Sequence, residues 1–169
     1  TDPAFVDIIS RMYPTLQTLE EMAQDPIHDR PILMCEYAHS MGNSTGSMKE
    51  ELPPGSLVVA SGFFSPWNIP TFHEHDIFHV PPAVDEELSR GLQELAPEAQ
   101  RGIYFQTNGP RFETAAEIAH FAAHTDVVGM TAASEITLAN ELGIRAAALC
   151  TVDNYTNGIG GEGANSSEE

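Results

Sequence analysis

Positive charge is scarce in this sequence. Seven Lys and Arg stand against 25 Asp and Glu in 169 residues, which gives a formal net charge of −18. So few cations cannot displace many counterions from nucleic acid or bind an anionic lipid surface, so we expect neither partner. Apolar residues make up 41% of the chain, and 169 residues suffice for one hydrophobic core.

Long apolar runs and cysteines are also few. The chain has no run of 18 or more apolar residues and does not open on a basic stretch followed by an apolar one. We therefore expect a cytoplasmic protein. Its two cysteines, Cys35 and Cys150, each lie within an apolar run. The simplest interpretation is two buried thiols in a reducing compartment, with a disulfide as the alternative.

Short apolar runs alternate with segments of helical length. Candidate strands cover residues 5–9, 31–35, 57–60, 102–106, 127–130 and 145–152, and candidate helices cover residues 15–23, 84–95, 115–123 and 134–142. Thr114 and Glu117 have the spacing of a capping box, and Gly143 stands where a helix would end. This alternation predicts an α/β fold, with a mainly parallel or mixed sheet flanked by helices. Ligands in such folds bind at the carboxyl ends of the strands.

The first candidate site follows the second apolar strand. Glu36 lies at the strand end, where a carboxylate can serve as the nucleophile of a retaining glycosidase. The alternative is a loop carboxylate that binds local amides. The stretch Asp-Ile-Ile-Ser-Arg-Met-Tyr-Pro and the later Met-Cys-Glu-Tyr-Ala-His-Ser-Met-Gly-Asn-Ser resemble the catalytic barrel of the β-galactosidases of glycoside hydrolase family 2.

That resemblance covers residues 1–46 and implies a strand–helix–strand piece of a (β/α)₈ barrel. It implies Glu36 as the nucleophile and Tyr13 as its hydrogen-bond partner. The acid/base carboxylate and most of the barrel of that family have no counterpart in this segment, and two strands cannot close an eight-stranded barrel. We therefore expect Glu36 to lack its catalytic partner.

Further polar residues follow later strands. Phe112 and Glu113 precede a capped helix and suit a site that stacks on a flat heterocycle and accepts hydrogen bonds from its N–H edge. The alternative is a turn whose acid favours the helix dipole. Met130 and Thr131 follow one later strand, and Asn154 follows another. An acid, a hydroxyl and an amide at adjacent strand ends form a candidate polar site.

Three motifs in this region resemble the purine nucleoside phosphorylase and methylthioadenosine phosphorylase family. They are Gly-Pro-Arg-Phe-Glu-Thr, Asp-Val-Val-Gly-Met-Thr and Glu-Ile-Thr-Leu-Ala-Asn-Glu-Leu-Gly-Ile, and the likeness extends over about residues 46–158. It implies phosphorolysis of a purine nucleoside to free base and pentose 1-phosphate, a step of purine salvage. Inorganic phosphate would be the co-substrate, with no cofactor or metal, in a homotrimer or hexamer.

The same resemblance implies a role for each candidate residue. Phe112 would flank the base, and Glu113 would lie at its Watson–Crick edge. Met130 would pack under the ribose, and Thr131 would contact phosphate. Asn154 would act in catalysis by reaching N7 and O6 of the leaving base. The motif Val-Asp-Asn-Tyr-Thr-Asn-Gly-Ile is more similar to that of the methylthioinosine-type members, so the resemblance favours a 6-oxopurine substrate.

The phosphorylase resemblance is partial. The family's Gly-rich phosphate loop has no counterpart, and the β-galactosidase-like segment stands in its place. We expect residues 1–46, residues 47–159 and a flexible polar tail at 160–169 to form one unit with weak or no activity. A non-catalytic chimeric α/β scaffold, joined near Gly46, is one alternative, and a glycosidase using Glu36 is another.

Histidines suggest a metal site less strongly. On a strand, one face would carry three imidazoles suited to zinc or nickel: His73, His75 and His79. A polar loop is the favoured interpretation, because neither resembled family uses a metal there. His120 and His124 have the i, i+4 spacing of a chelating pair, but the helix dipole explains cations near a helix end. Arg111 is expected to form an organising ion pair with Glu113.

Overall fold

The described part of the chain contains two sheets, three helices whose bounds are given below, and a few helical residues between the first two strands. The computed structural model describes residues 9–12, 17–18, 21, 32–36, 45–67, 69–75, 78–109 and 111–159. The strands are β1 (Ile9–Met12), β2 (Ile32–Glu36), β3 (Gly46–Ser47), β4 (Leu57–Phe64), β5 (Gln100–Gln106), β6 (Val127–Gly129), β7 (Leu149–Thr151) and β8 (Asn154–Tyr155). The helices are α1 (Glu86–Leu95), α2 (Ala115–Phe121) and α3 (Ala132–Glu141).

The larger sheet has six strands in the order β7-β4-β5-β6-β3-β8. Strands β4, β5 and β6 are parallel, whereas β7 pairs antiparallel with β4 and β3 pairs antiparallel with β6. The predicted α/β fold is confirmed. The sheet is mixed rather than mainly parallel because short antiparallel partners cover both sides of its parallel centre.

Strand alternation sends the apolar side chains of the central strands to opposite faces. Tyr104 and Val127 pack with Ala132 of α3, whereas Phe105 and Val128 pack with Ile118 of α2. Helices therefore cover both faces of the parallel centre, which explains why its strands read as continuous apolar runs.

Local signals set the ends of the helices. Helix α2 begins with the predicted capping box, in which the Thr114 hydroxyl accepts from the Glu117 amide at 3.2 Å and the Glu117 carboxylate accepts from the Thr114 amide at 2.7 Å. Gly143 follows α3 with φ of +72°, as predicted for a left-handed helix end. Of the helices in the described ranges, none has the length and apolar character needed to span a bilayer.

Several strand boundaries differ from the predictions. Strand β4 continues to Phe64, beyond the predicted end at residue 60, and β7 is confined to Leu149–Thr151 within the predicted 145–152. Strands β3 and β8 were not predicted. Two residues are too few to form an apolar run, so such strands arise only through pairing with their neighbours.

The N-terminal sheet consists of β1 and β2, which pair in parallel with Ile9 opposite Ile32. Three residues between them, Gln17, Thr18 and Glu21, are helical. This order agrees with the predicted strand–helix–strand piece, although β1 lies at 9–12 rather than 5–9. The predicted tail at 160–169 lies outside the described residues.

Candidate active site

A cavity of about 190 Å³ opens where β5 ends and α2 begins. The residues that line it are Trp67, Phe105, Thr107, Asn108, Gly109, Arg111, Glu113, Glu117 and Phe121. One wall is aromatic, and the other carries hydroxyl, carboxylate and guanidinium groups. This combination suits a planar ligand with a polar edge, which is the usual composition of small-molecule sites.

The aromatic wall is built from three elements. Phe105 of β5 is fully buried, and its ring stacks on Phe121 of α2 with centroids 4.2 Å apart. The ring of Phe64, at the end of β4, lies 6.0 Å from the rings of both Phe105 and Phe121. Trp67 lies three residues beyond Phe64 and is 42% exposed. The aromatic wall of the cavity therefore consists of clustered phenyl rings, with a partly exposed indole among the other lining residues.

The polar wall contains two buried side chains, Glu113 and Thr107. The backbone of Thr107 is held by β6, since its amide donates to the Gly129 carbonyl at 2.9 Å. Glu113 lies between the end of β5 and the capped start of α2. The predicted placement of Glu113 next to a possible heterocycle site is therefore compatible with its position in the cavity wall.

Arg111 pairs with Glu117, so the predicted ion pair with Glu113 is wrong. Its guanidinium donates to both Glu117 carboxylate oxygens, at 2.9 and 2.7 Å. Glu117 already faces back toward residues 111–114 because it closes the capping box, which makes it the better-placed partner. The Arg111 guanidinium, followed by the bonds from Thr114, lowers the pKa of Glu117 to about 2.

We predict that replacing Glu117 with glutamine removes a pH-dependent part of the stability. The pKa of Glu117 is lower in the folded state than its ordinary value of 4.5. Its contribution is therefore present above about pH 4.5 and is lost as the pH falls toward 2. Melting temperatures of both proteins between pH 7 and pH 2.5 test this, because their difference should shrink in acid. A difference independent of pH would contradict it.

Three other predicted site residues, Phe112, Met130 and Thr131, are not among the residues that line the cavity. Phe112 is 61% exposed and does not line the cavity. Met130 and Thr131 directly follow β6, and the Thr131 amide donates to the Tyr104 hydroxyl at 3.3 Å. Burial raises the pKa of Tyr104, so this phenol stays protonated at neutral pH.

Asn154 lies on β8, farther along the same sheet. Strand β3 separates β8 from β6, and Gly46 pairs with both Asn154 and Val128. The Asn154 amide donates to the Tyr155 carbonyl at 2.8 Å. After Asn154 the chain runs close to the start of α2. A Cβ built at Gly158 would lie 3.3 Å from the Ala115 Cβ, which shows how near the two segments are. The segment after β8 thus approaches the side of the sheet that carries the cavity.

Several cavity residues were not predicted from the sequence. Phe105 and Phe121 resemble any core aromatic in a strand or helix, and Trp67 lies in a loop without a motif. Thr107 did offer a signal, since it is the first polar residue after an apolar strand in an α/β fold, where ligands bind.

The remaining predictions concern residues away from the cavity. Glu36 ends β2, as predicted, whereas its side chain and Tyr13 lie outside the described residues. The histidines lie in a loop, which agrees with the favoured interpretation: described residues 69–75 and 78–80 form no strand, and His73 packs on Phe78 at 4.7 Å. No group of three potential metal ligands occurs among the residues that the structure describes. Cys150 is buried and free, and burial raises its pKa to about 12.

A mixed sheet covered by helices on both faces, with a partly aromatic cavity at the strand ends, defines an α/β protein of the kind that binds small molecules. Residues 41–169 match the phosphorylase superfamily, and the chain belongs to that family. The match begins at residue 41, within the predicted β-galactosidase-like segment 1–46, and the resemblance of residues 1–40 stays a prediction.

Three relatives illustrate the match. The chain is 42% identical to a probable 6-oxopurine nucleoside phosphorylase of Archaeoglobus fulgidus, over 73% of this chain and 53% of the relative. It is 38% identical to a probable S-methyl-5'-thioinosine phosphorylase of Methanosarcina acetivorans, over 72% and 53%. It is also similar to methylthioadenosine phosphorylase from Schistosoma mansoni, solved with adenine, with a TM-score of 0.63 and 26% identity over 71% of this chain and 53% of that one. The chain spans about half the length of these proteins.

Proposed function

We propose that the chain carries the base- and ribose-binding half of a nucleoside phosphorylase site that acts on a 6-oxopurine nucleoside or methylthioinosine. The observation that carries this is the buried Glu113 carboxylate in a cavity with an aromatic wall. A carboxylate accepts hydrogen bonds from the N–H edge of a 6-oxopurine, and an aromatic ring covers its face. The names of the two archaeal relatives, a probable 6-oxopurine nucleoside phosphorylase and a probable S-methyl-5'-thioinosine phosphorylase, support the same substrate class.

In this reaction a phosphate oxygen attacks the anomeric carbon as the bond from that carbon to the purine nitrogen breaks. The base leaves with the bonding electron pair, so negative charge gathers at N7 and O6. We assign Asn154 to stabilise that charge, because its amide carries N–H donors. In the present conformation the Asn154 amide donates to the Tyr155 carbonyl, so contact with a base requires the side chain to rotate.

Thr131 is the proposed phosphate contact of this half-site. It precedes the ten-residue helix α3, whose N-terminal amides and dipole favour an anion. The Thr131 side chain makes no hydrogen bond that caps the helix, so its hydroxyl is not committed to that role. Arg111, the cation that lines the cavity, is bound to Glu117. The described residues therefore offer few groups that could bind phosphate, and we propose that turnover is weak. We also propose a homotrimeric or hexameric assembly and a cytoplasmic location.

Binding of the free base tests this proposal directly. We expect isothermal titration calorimetry to detect hypoxanthine binding, and Glu113→Gln to weaken it about tenfold, since hydrogen bonds to charged groups exceed neutral ones. The exposed Glu98→Gln is the matched control and should bind like the original chain. Absence of binding at millimolar hypoxanthine would favour the alternative of a non-catalytic chimeric scaffold.

Turnover provides a second arm of the same experiment. With inosine and phosphate we expect only marginal release of hypoxanthine, measured by a coupled oxidase assay. Robust release that Asn154→Ala abolishes would contradict the half-site proposal, although it would retain the reaction class.

A further inference from the structure

Thr107 carries a buried hydroxyl without a hydrogen-bond partner in the described structure. The residue is 6% exposed, it lines the cavity, and no group among the described ranges pairs with its Oγ1. Buried polar groups are almost always paired, because an unpaired one loses its bonds to water without replacement. An unpaired hydroxyl at this position costs stability, and a cavity is the place where a ligand can supply the missing bond.

The preceding residue on the strand shows the contrast. Gln106 is equally buried, but both ends of its amide are paired with Ser134 of α3, at 2.6 Å from Nε2 to Oγ and 3.0 Å from the Ser134 amide to Oε1. Strand alternation places Gln106 on the α3 face and Thr107 on the opposite face with Phe105. The fold thus satisfies the polar side chain that faces the core and leaves unpaired the one that faces the cavity.

We propose that the Thr107 hydroxyl is a binding and specificity-determining group, which hydrogen-bonds the polar edge of a planar heterocycle seated against Phe105 and Phe121. This proposal rests on the proposed function and adds a residue to it. The cavity of about 190 Å³ lies below the roughly 300–1,000 Å³ of sites for drug-sized ligands, so it suits one ring system. Glu113 accepts only, whereas a threonine hydroxyl both donates and accepts. Together they can bind a heterocycle edge on which an N–H lies next to a carbonyl or ring nitrogen, because Glu113 accepts from the N–H and Thr107 donates to its neighbour.

Trp67 makes ligand entry observable. It is the single tryptophan of the sequence, and it lines the same cavity. A base bound there contacts or displaces the indole, so we expect tryptophan fluorescence to change when this site is filled. A ligand bound elsewhere on the chain would register in calorimetry without the same change in fluorescence.

The experiment titrates hypoxanthine into the original chain, Thr107→Val and Thr107→Ser, with fluorescence and calorimetry in parallel. Valine keeps the shape and removes the hydroxyl, so we expect Kd to rise about threefold to tenfold. Serine keeps the hydroxyl, so we expect Kd within about twofold of the original. Without ligand, we expect Thr107→Val to raise the melting temperature by about 2–4 °C, because it removes an unpaired buried group.

The opposite signs of these two effects distinguish ligand binding from a structural role. A lower melting temperature for Thr107→Val would mean that the hydroxyl supports the fold, for instance through a bound water, and would overturn the proposal. Unchanged hypoxanthine affinity in Thr107→Val would overturn it too, while leaving the proposed function standing. Calorimetric binding without a change in Trp67 fluorescence would place the base outside this cavity and also overturn it. A chain that binds no hypoxanthine in either measurement would refute the proposed function itself.

Discussion

Replacing Phe105 with alanine is expected to lower the free energy of unfolding by about 3–5 kcal/mol, the usual cost of emptying a buried aromatic site. Phe105 has no exposed surface and packs with Met48, Ile118 and Val128. Its ring also contacts those of Phe64 and Phe121, with centroids 6.0 and 4.2 Å away. The substitution removes both the filled volume and two ring contacts, and the surrounding sheet and helix cannot close the gap completely.

Urea unfolding followed by circular dichroism measures this loss. Leu95→Ala is the control, since Leu95 is 85% exposed and its truncation should change stability by no more than about 0.5 kcal/mol. Phe105→Leu should fall between them because it leaves a smaller cavity. A loss below about 1.5 kcal/mol for Phe105→Ala would show that the neighbouring rings collapse into the space. Because Phe105 is also a wall of the cavity, we expect weaker hypoxanthine binding in the alanine variant.

The parts of the fold that were predicted depend on short-range signals. The capping box of Thr114 and Glu117 lies within four residues, and the positive φ of Gly143 follows from its place after a helix. The continuous apolar composition of the central strands is enough to predict that both of their faces are buried. In α/β folds ligands bind at the carboxyl ends of the strands, and the cavity lies at such a strand end.

The parts that were not predicted depend on contacts between distant segments. Phe64, Phe105 and Phe121 come from three elements, and nothing in their local sequence indicates that their rings stack. The partner of Arg111 was misassigned because proximity in sequence favoured Glu113, whereas the first turn of α2 brings Glu117 back to it. Which side chains pair or stack therefore depends on helix geometry and on packing in the folded chain.

Chemistry and stability compete at the end of β5. Gln106 and Thr107 are adjacent, buried and polar, yet among the described residues only Gln106 finds hydrogen-bond partners for its side chain. A sequence selected for stability alone would place an apolar residue at 107, where valine has nearly the same shape. Local departures of this kind are expected where a protein binds a ligand, because the group that recognises the ligand is unpaired before it arrives.

Replacing Gly129 with alanine is expected to lower the free energy of unfolding by about 1–3 kcal/mol through overpacking. A Cβ at this position would lie 2.2 Å from the Tyr104 hydroxyl oxygen and 2.9 Å from its Cζ. Tyr104 is 3% exposed, packs with Val58 and Val127, and accepts a hydrogen bond from the Thr131 amide. The ring cannot move away without disturbing either the core or the residue that we propose as the phosphate contact.

A double-mutant cycle with Tyr104→Phe tests whether this clash is the cause. Tyr104→Phe alone should cost about 0.5–1.5 kcal/mol, because the Thr131 amide loses its acceptor. In the Gly129→Ala background the same change removes the 2.2 Å contact, so the combined loss should be smaller than the sum of the two single losses. Rescue should be incomplete, since the contact with Cζ persists. Additive losses in urea unfolding would show that the backbone of β6 shifts to accommodate the methyl group. In that event the position of Thr131 would change as well.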